Sequence, residues 1–172
     1  NAPEALAPLS QTLKDTDWKV RYFSIWALGE IGAMEAVGYL KPLINATDER
    51  LRIAVMRALA KIKGRDAVET FLSFLVTIDN DRIRRELIDA LGELGDKRAG
   101  FYVTAHLQHP DAYLRQAAAR ALGKIRTPSA VEPLIQRMDD TDYSVKIWTI
   151  WALGLIKDSR AVEPLLDRSL QS

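Results

Sequence analysis

The sequence predicts an all-α fold: an α-α superhelix, or α-solenoid, of five helical hairpins and a terminal helix, eleven helices in all. Three observations predict it. One motif recurs about every 31 residues, its apolar residues follow the 3.6-residue helical period, and helix-capping residues begin each copy. In the 172-residue chain we expect repeats at approximately 2–32, 33–64, 65–95, 96–126 and 127–157, then the terminal helix at 158–172. We expect one domain over 1–172, in a chain that the missing initial Met indicates was processed or excised.

The motif marks the second helix of each hairpin, here called helix B. Its first core position, counted as zero, holds Val20, Leu51, Ile83, Leu114 and Val145. Seven and eight residues later every copy has Ala-Leu, and three residues before zero every copy has Asp or Asn. Asp and Asn are favoured N-caps, and positions 0, 4, 7, 8 and 11 share one face of a helix. Each copy therefore predicts an amphipathic helix whose Ala marks the close approach of a neighbouring helix.

A shorter helix, here called helix A, precedes each helix B. The segments "SAVEPLIQRM" at 129–138 and "RAVEPLLDRS" at 160–169 show it most clearly, and "EALAPL" near the start matches them. Pro133 and Pro164 lie near the first turn, where a proline costs little stability. Gly32, Gly64 and Gly95 follow helix B, as is typical of a helix C-terminus.

Composition limits the classes of function. The chain is 48% hydrophobic and 27% charged, which predicts a folded protein, and its net charge of +1 makes nucleic acid an unexpected partner. The absence of Cys excludes a disulfide scaffold, a thiolate metal site and a cysteine nucleophile. No apolar run approaches a membrane span and no secretory pattern follows Asn1, so we expect no membrane contact and favour a cytoplasmic location.

The combined motif DxxVR…ALGxIG…RAVEPL resembles the HEAT-like repeats of phycobilisome (PBS) lyases, over essentially the whole chain. The resemblance implies an armadillo-like solenoid in which helix B lines the concave side and helix A forms the convex back. Members of the family serve as bilin lyases, scaffolds, enzyme regulators and DNA glycosylases. The resemblance is therefore specific for the fold and weak for the activity.

The resemblance also implies a structural ladder at the start of helix B. In the family, the Asp and Arg of DxxVR link turns and neighbouring repeats. The matching residues here are Asp17, Arg21, Asp48, Arg52, Arg84, Asp111, Arg115, Asp142 and Lys146. Because Asn80 replaces the Asp of repeat three and Lys146 the Arg of repeat five, we expect a weaker ladder there.

Aromatic side chains concentrate on helix B of the first and last repeats, which hold all four Trp residues. Positions −2, 2, 6 and 10 of helix B lie away from its core stripe, and position 3 lies at the flank. Interfaces are rich in Trp and Tyr. We therefore predict a partner-binding surface of Trp18, Tyr22, Phe23, Trp26, Arg57, Arg120, Tyr143, Ile147, Trp148, Trp151 and Leu155. In the alternative interpretation some of these side chains, Phe23 and Trp148 above all, fill the core between repeats, and further sequence beyond this chain covers the last repeat.

Opposite charges alternate across the middle repeats. Position 6 holds Arg57, Asp89 and Arg120, and position 10 holds Lys61, Glu93 and Lys124. Neighbouring helices pack about 8–10 Å apart, so these side chains can pair. We interpret them as a self-neutralising surface lattice in preference to a site for a charged ligand.

No catalytic constellation is recognisable in the sequence. His106 and His109 are the two histidines, and no carboxylate pattern accompanies them as a metal site requires. The 23 Asp and Glu residues follow the repeat and form no distinct pair. We therefore predict no catalytic residue, no metal and no cofactor.

The favoured hypothesis is a non-catalytic scaffold that binds another protein or a peptide segment on its concave face. One alternative is a self-associating structural module that forms a homo-oligomer. A second is a bilin lyase-type subunit or a HEAT-like nucleic-acid-binding enzyme. A third is a designed binder, against which the divergent helix A "KRAGFYVTAH" argues.

Overall fold

The computed structural model describes residues 2–62 and 65–169, and every regular element in these ranges is helical. The α-helices are α1 (Ala2–Thr12), α2 (Trp18–Ile31), α3 (Ala36–Leu40), α4 (Glu49–Ile62), α5 (Arg65–Thr77), α6 (Asp81–Leu94), α7 (Gly100–Thr104), α8 (Ala112–Ile125), α9 (Val131–Ile135), α10 (Tyr143–Ile156) and α11 (Val162–Ser169). Short 3₁₀ turns span Lys41–Asn45, Lys97–Ala99, Ala105–Gln108, Pro128–Ala130 and Ser159–Ala161. The all-α class and the eleven helices are confirmed.

The chain divides into two compact units, Asn1–Ser73 and Phe74–Ser172. In unit 1, helix B of repeat one (α2) packs on helix B of repeat two (α4), and α1 packs on α2. In unit 2, α6 packs on α8 and α8 packs on α10, while α7 and α9 pack on α8 and α10 as their A helices. Each unit is thus built from A–B hairpins stacked in chain order, as an α-solenoid requires.

The predicted N-caps all form. The carboxylate or amide oxygens of five side chains accept a backbone N–H of the first helical turn at 2.6–3.0 Å, and these are Asp17, Asp48, Asn80, Asp111 and Asp142. Each bond satisfies a backbone donor that has no partner within the helix. The start of every helix B is therefore fixed by one residue that the sequence motif contains.

The helix C-termini follow the glycine prediction in two places. Gly32 and Gly95 adopt left-handed backbone angles, with φ of 69° and 66°, while Gly64 lies outside the described residues. After α8 and α10, Arg126 and Lys157 take the same conformation, with φ of 55° and 58°. A side chain in this region is strained, but the backbone N–H groups of Arg126 and Lys157 donate to the carbonyl oxygens of Leu122 and Leu153 and so close the helix ends.

Helix A is less regular than the predicted single helix. In the second, fourth and fifth repeats it is broken into a five-residue α-helix joined to 3₁₀ turns. Pro42 and Pro128 lie at the starts of two of these turns, where their missing N–H is tolerated. Because helix B is an unbroken 14-residue helix in every repeat, it forms the more extensive and more uniform contacts between repeats.

A glycine on one helix B meets an alanine on the next. A Cβ added to Gly29, Gly92 or Gly123 would lie 2.8–2.9 Å from the Cα of Ala58, Ala121 or Ala152, respectively. These alanines are the invariant position-7 residues of the motif. The prediction that Ala marks a close helix approach is therefore correct, and the glycine two positions after it completes the contact from the other helix.

The ion pair between Arg115 and Asp140 is largely buried in unit 2. Arg115 donates to both carboxylate oxygens of Asp140, at 2.8 and 2.7 Å, and to the carbonyl oxygens of His109 and Pro110. The two side chains are 10% and 2% exposed. Burial by itself raises the pKa of Asp140, but the hydrogen bonds from Arg115 and from the Asp142 N–H outweigh burial and hold it below its ordinary value.

This lowered pKa predicts a loss of stability in acid. A carboxyl whose pKa is lower in the folded than in the unfolded state stabilises the fold fully above the unfolded pKa. That stabilisation is lost as the pH falls below about 4 and through the folded pKa. The free energy of unfolding, measured with urea across this pH range, should fall more steeply with decreasing pH for the native protein than for Asp140→Asn. The other carboxylates titrate in both proteins, so their contributions cancel in the comparison. An equal pH dependence of the free energy of unfolding in the two proteins would contradict a lowered pKa of Asp140.

In the described ranges, no helix combines the length and the apolar character needed to cross a membrane.

Candidate protein-binding surfaces

The predicted binding residues of unit 1 lie on α2 and α4, and we call them the N-terminal aromatic surface: Trp18, Tyr22, Phe23, Trp26 and Arg57. Phe23 and Trp26 are 62% and 53% exposed, Arg57 is exposed, and Trp18 and Tyr22 are half-buried. The alternative that Phe23 fills the core is wrong in this structure. The surface places large aromatic area in solvent, which is uncommon on an isolated folded chain.

Ring contacts hold part of this surface in place. The Tyr22 ring meets the Trp18 and Phe23 rings edge-on, with centroids 6.4 and 5.5 Å apart. The Arg50 guanidinium lies 3.7 Å from the centroid of Trp18 and donates to the Asp48 carboxylate at 2.7 Å. The hydrogen bond from Arg50 lowers the pKa of Asp48 to about 2. Trp18 is therefore partly covered from within the chain.

Sequence reasoning missed Arg50. It occupies position −1 of repeat two, and the helical-wheel analysis considered positions −2, 2, 3, 6 and 10. The available signal was its place beside Asp48 at the same N-terminus, one repeat after Trp18.

A groove of about 250 Å³ runs between α2 and α4. Its lining combines aromatic, small and cationic residues: Tyr22, Trp26, Ala54, Arg57, Ala58 and Lys61. Lys61 also contacts the Glu30 carboxylate, and Arg57 is exposed at the groove. Ala54 and Ala58 have small side chains, which makes the groove deeper at their positions. The lining can therefore hold an apolar side chain next to a positive charge.

The remaining predicted binding residues lie on α8 and α10 of unit 2, and we call them the C-terminal aromatic surface: Arg120, Tyr143, Ile147, Trp148, Trp151 and Leu155. Tyr143, Ile147 and Trp151 are 75%, 46% and 37% exposed. Arg120, Trp148 and Leu155 are half-buried. The segment "VKIWTIWALGLIK" is thus apolar both on the side that packs against its own repeats and on the side that is exposed to solvent.

Two rings and one cation organise this surface. The Trp148 and Trp151 rings meet edge-on with centroids 5.2 Å apart, and the Arg120 guanidinium lies 5.4 Å from the Trp148 centroid. Arg120 also donates to Asp89 at 2.6 Å. Burial raises the pKa of Asp89, and the hydrogen bond from Arg120 acts in the opposite direction. Arg120 is therefore shared between an ion pair and an aromatic face.

Opposite charges on neighbouring B helices pair within each unit. In unit 2, Arg120 pairs with Asp89 and Lys124 with Glu93. In unit 1, Lys61 pairs with Glu30 of repeat one. Exposed pairs of this kind contribute at most about 1 kcal/mol each. Their mutual neutralisation leaves the aromatic residues as the distinctive feature of the B helices.

The ladder residues serve mainly as local anchors. The ladder Asp side chains cap their own helices, as described above. Arg21 donates to the carbonyl oxygens of Asp15 and Thr16, and Arg84 to that of Ile78, both in the turn before helix B. Arg115 adds a contact to the next repeat through Asp140. Arg52 and Lys146 are half-buried at the equivalent positions.

Buried polar side chains are few in the described part of the chain. They are Ser24, Arg115, Thr127, Asp140 and Thr149. Ser24 bonds Thr12 and the Val20 carbonyl, Arg115 and Asp140 bond each other, and Thr127 bonds Ser129. The buried hydroxyl of Thr149 forms no hydrogen bond with the residues that the structure describes. Within the described residues no group of three or more His, Asp or Glu side chains is placed to hold a metal ion.

Comparison with known proteins identifies the repeat. A family model for HEAT repeats matches residues 1–55, 39–104 and 102–172. The chain belongs to the HEAT repeat family. The matched segments of this HEAT repeat protein together span all five hairpins and the terminal helix.

The HEAT repeat protein is 27% identical over 140 residues to the phycocyanobilin lyase subunit alpha of Nostoc sp. (strain PCC 7120), which covers 81% of this chain and 42% of the relative. The chain spans less than half the length of the curated relatives it matches. This relation confirms the predicted resemblance to phycobilisome lyase repeats.

Solved structures share the fold, and two of them are informative here. A designed armadillo repeat protein in complex with the peptide (KR)4 superposes with a TM-score of 0.65 at 15% identity, over 90% of this chain and 82% of that one. The complex of CpcE and CpcF of phycocyanin lyase from Nostoc sp. PCC7120 gives a TM-score of 0.56 at 20% identity, over 92% and 79%. At these identities the likeness shows the fold alone.

Proposed function

We propose that this chain is a non-catalytic binding module that holds another protein or a peptide segment on the outer sides of its B helices. The observation that carries the proposal is the exposure of Phe23, Trp26, Tyr143 and Trp151 on those helices. Each large aromatic side chain that becomes buried removes about 150–250 Å² from water. A few of them supply the anchors that protein interfaces require.

The groove beside Trp26 supports a peptide as the bound segment. Tyr22 and Trp26 form an apolar wall, and Arg57 and Lys61 bring positive charge to the same groove. A groove of about 250 Å³ accommodates one or two side chains of an extended segment. The chemistry that fits is an aromatic or aliphatic side chain followed closely by Asp or Glu, whose carboxylate meets Arg57.

The structural relatives support this mode of binding by analogy. The designed armadillo repeat protein is in complex with a peptide, and CpcE is in complex with CpcF. Repeat solenoids present rows of equivalent helices, so side-chain changes on one face create a new binding site without a change of fold.

Replacement of Trp26 tests the proposal. Peptides selected from a displayed random library against the native protein should be enriched in aromatic and acidic residues. We expect Trp26→Ala to weaken their binding by about tenfold or more, because it removes the largest exposed wall of the groove. Binding is measured by fluorescence anisotropy of the labelled peptides.

Phe101→Ala is the matched control, because Phe101 is an aromatic residue on α7 that is 81% exposed and lies on a helix A. It should change affinity by less than about twofold. Circular dichroism should show unchanged helicity in both variants. Peptides that bind native protein and Trp26→Ala equally well would refute the groove as the binding site.

A bilin lyase-type subunit is the second candidate, favoured by the 27% identity to a phycocyanobilin lyase subunit over 81% of this chain. Such a subunit should bind a linear tetrapyrrole, and its aromatic surfaces offer flat rings for stacking. Incubation with phycocyanobilin should then shift the pigment's visible absorption, and Trp151→Ala should reduce the shift. An unchanged spectrum in the presence of native protein would remove this candidate.

A further inference from the structure

A cavity of about 190 Å³ lies between repeats one and two, wholly within unit 1. Its lining is mostly apolar and includes the cation of the repeat-one ladder: Leu13, Arg21, Ile25, Leu43, Ala46, Thr47, Asp48 and Leu51. Leu13, Ile25 and Leu51 are buried, whereas Thr47 is exposed. The cavity therefore has an apolar interior and meets solvent beside Thr47.

Arg21 is anchored in the same way as Arg115, which holds the same position of repeat four. Nη1 of Arg21 donates to the carbonyl oxygens of Asp15 and Thr16 at 2.6 and 3.0 Å. Nη1 of Arg115 donates to the carbonyl oxygens at the same two positions of its own repeat, both at 2.9 Å. Because a guanidinium is planar and rigid, this shared anchor directs the Nε–Nη2 edge of both side chains toward the following repeat.

The following repeat occupies that edge of Arg115 and leaves that edge of Arg21 open. Nε and Nη2 of Arg115 donate to the Asp140 carboxylate at 2.8 and 2.7 Å. Asp140 lies five residues before position zero of repeat five, and Ala46 holds that position in repeat two. Among the described residues, Nε and Nη2 of Arg21 have no hydrogen-bond partner. The cavity, which Arg21 and Ala46 both line, lies where a carboxylate equivalent to that of Asp140 would be.

Asp48, the acid in the lining, is compatible with a second carboxylate beside Arg21. Its own carboxylate is paired with Arg50, which donates from Nε and Nη2 at 3.0 and 2.7 Å. Asp142 holds the same position in repeat five, and its backbone N–H donates to the Asp140 carboxylate at 2.9 Å. The repeat thus combines an acid at this position with a carboxylate on the arginine, and the Asp48 N–H is the equivalent second donor.

The size and the lining of the cavity define the class of ligand. A water molecule occupies about 30 Å³ in the liquid, so a cavity of about 190 Å³ holds about six non-hydrogen atoms. A carboxylate accounts for the atoms that meet the guanidinium. The remaining atoms meet the leucine and isoleucine side chains, which favour an aliphatic tail of about three or four carbons.

We propose that this cavity binds a short aliphatic carboxylate, whose two oxygens accept from Nε and Nη2 of Arg21 as those of Asp140 accept from Arg115. The ligand supplies the half of the ion pair that repeat five takes from its own chain. Bidentate pairs between arginine and a carboxylate are among the stronger hydrogen-bonded contacts in proteins. The proposal goes beyond peptide binding, since it uses neither aromatic surface.

Titration of the native protein with isovalerate, followed by ¹H–¹⁵N NMR, tests the site. The backbone resonances of Ala46 and Asp48 should shift and saturate. Isovaleramide has a similar shape without the charge and should bind at least about tenfold more weakly, as should isovalerate to Arg21→Gln. A native spectrum that isovalerate leaves unchanged overturns the proposal, and so does equal binding of the acid and the amide.

Ala46→Asp is the second probe, because it gives repeat two the acid that repeat five has at this position. The new carboxylate should pair with Arg21, raise the midpoint of thermal unfolding and abolish isovalerate binding. Asn45→Asp is the matched control: Asn45 is exposed and outside the lining, so the same charge there should change the affinity by less than about twofold.

Undiminished isovalerate binding to Ala46→Asp overturns the proposal even if Arg21→Gln fails to fold. Peptide affinity at the Trp26 groove should be unchanged in Ala46→Asp, because Ala46 does not line that groove. Carboxylate binding and peptide binding are thus tested separately.

Discussion

Asp140→Ala is expected to lower the free energy of unfolding by about 3–5 kcal/mol, the largest effect of any single substitution considered for this chain. The substitution leaves the Arg115 guanidinium in a site where its side chain is 10% exposed and its counterion is gone. The carbonyl oxygens of His109 and Pro110 still accept from it, but they carry no net charge. The lost stability is the free-energy cost of keeping the Arg115 charge buried without a counterion.

Chemical unfolding followed by circular dichroism at neutral pH measures this effect. Asp79→Ala is the matched control, because Asp79 is an exposed acid outside the regular helices, and we expect a change within about 0.5 kcal/mol. Asp140→Asn should fall between the two, since the amide retains an acceptor for Arg115 but no charge. A loss below about 1 kcal/mol in Asp140→Ala would show that water reaches Arg115.

Gly123→Ala is expected to destabilise unit 2 by about 1–3 kcal/mol through overpacking. An added Cβ would lie 2.8 Å from the Cα of Ala152 and 2.9 Å from Cζ3 of Trp151. The backbone of Ala152 can make room for the added Cβ only if α10 moves away from α8. The better helix propensity of Ala, up to about 1 kcal/mol, offsets only part of this cost.

Gly154→Ala supplies a control at the equivalent position one repeat later. An added Cβ there has open space, so the substitution should stabilise the monomer by about 0.5–1 kcal/mol. Thermal unfolding of both variants and the native protein compares the two substitutions. The expected signs are opposite. If both substitutions shift the midpoint in the same direction, the glycine–alanine contact does not set the helix spacing.

The helices were predictable because each is encoded locally and repeated. Asp17, Asp111 and Asp142 stand at the N-caps that the structure shows, and Gly32 and Gly95 stand at the C-caps. Arg126 and Lys157 were not recognised as C-caps, because nothing in their side chains favours positive φ. Their backbone N–H groups close the helix ends on Leu122 and Leu153, a contact that the residue type does not reveal.

The candidate surfaces were predictable in outline for the same reason. Helical periodicity assigns Trp26 and Trp151 to the outer side of helix B, and the structure leaves them 53% and 37% exposed. Their role in binding stays a prediction. The Arg50 cover on Trp18 and the Arg115–Asp140 pair depend on side-chain rotamers and on a residue outside the repeating positions. Sequence spacing places Arg50 one repeat after Trp18, but it does not predict the rotamers that form either contact.

The regular contact between Gly92 and Ala121 has a consequence for length variation in this protein. Deletion of residues 112–142 removes one whole period, joins Asp111 to Tyr143 as the new helix start, and sets Gly92 opposite Ala152. Arg115 and Asp140 leave together, so neither charge is stranded. Gain or loss of such a module within unit 2 would therefore leave its remaining glycine–alanine contact between B helices matched.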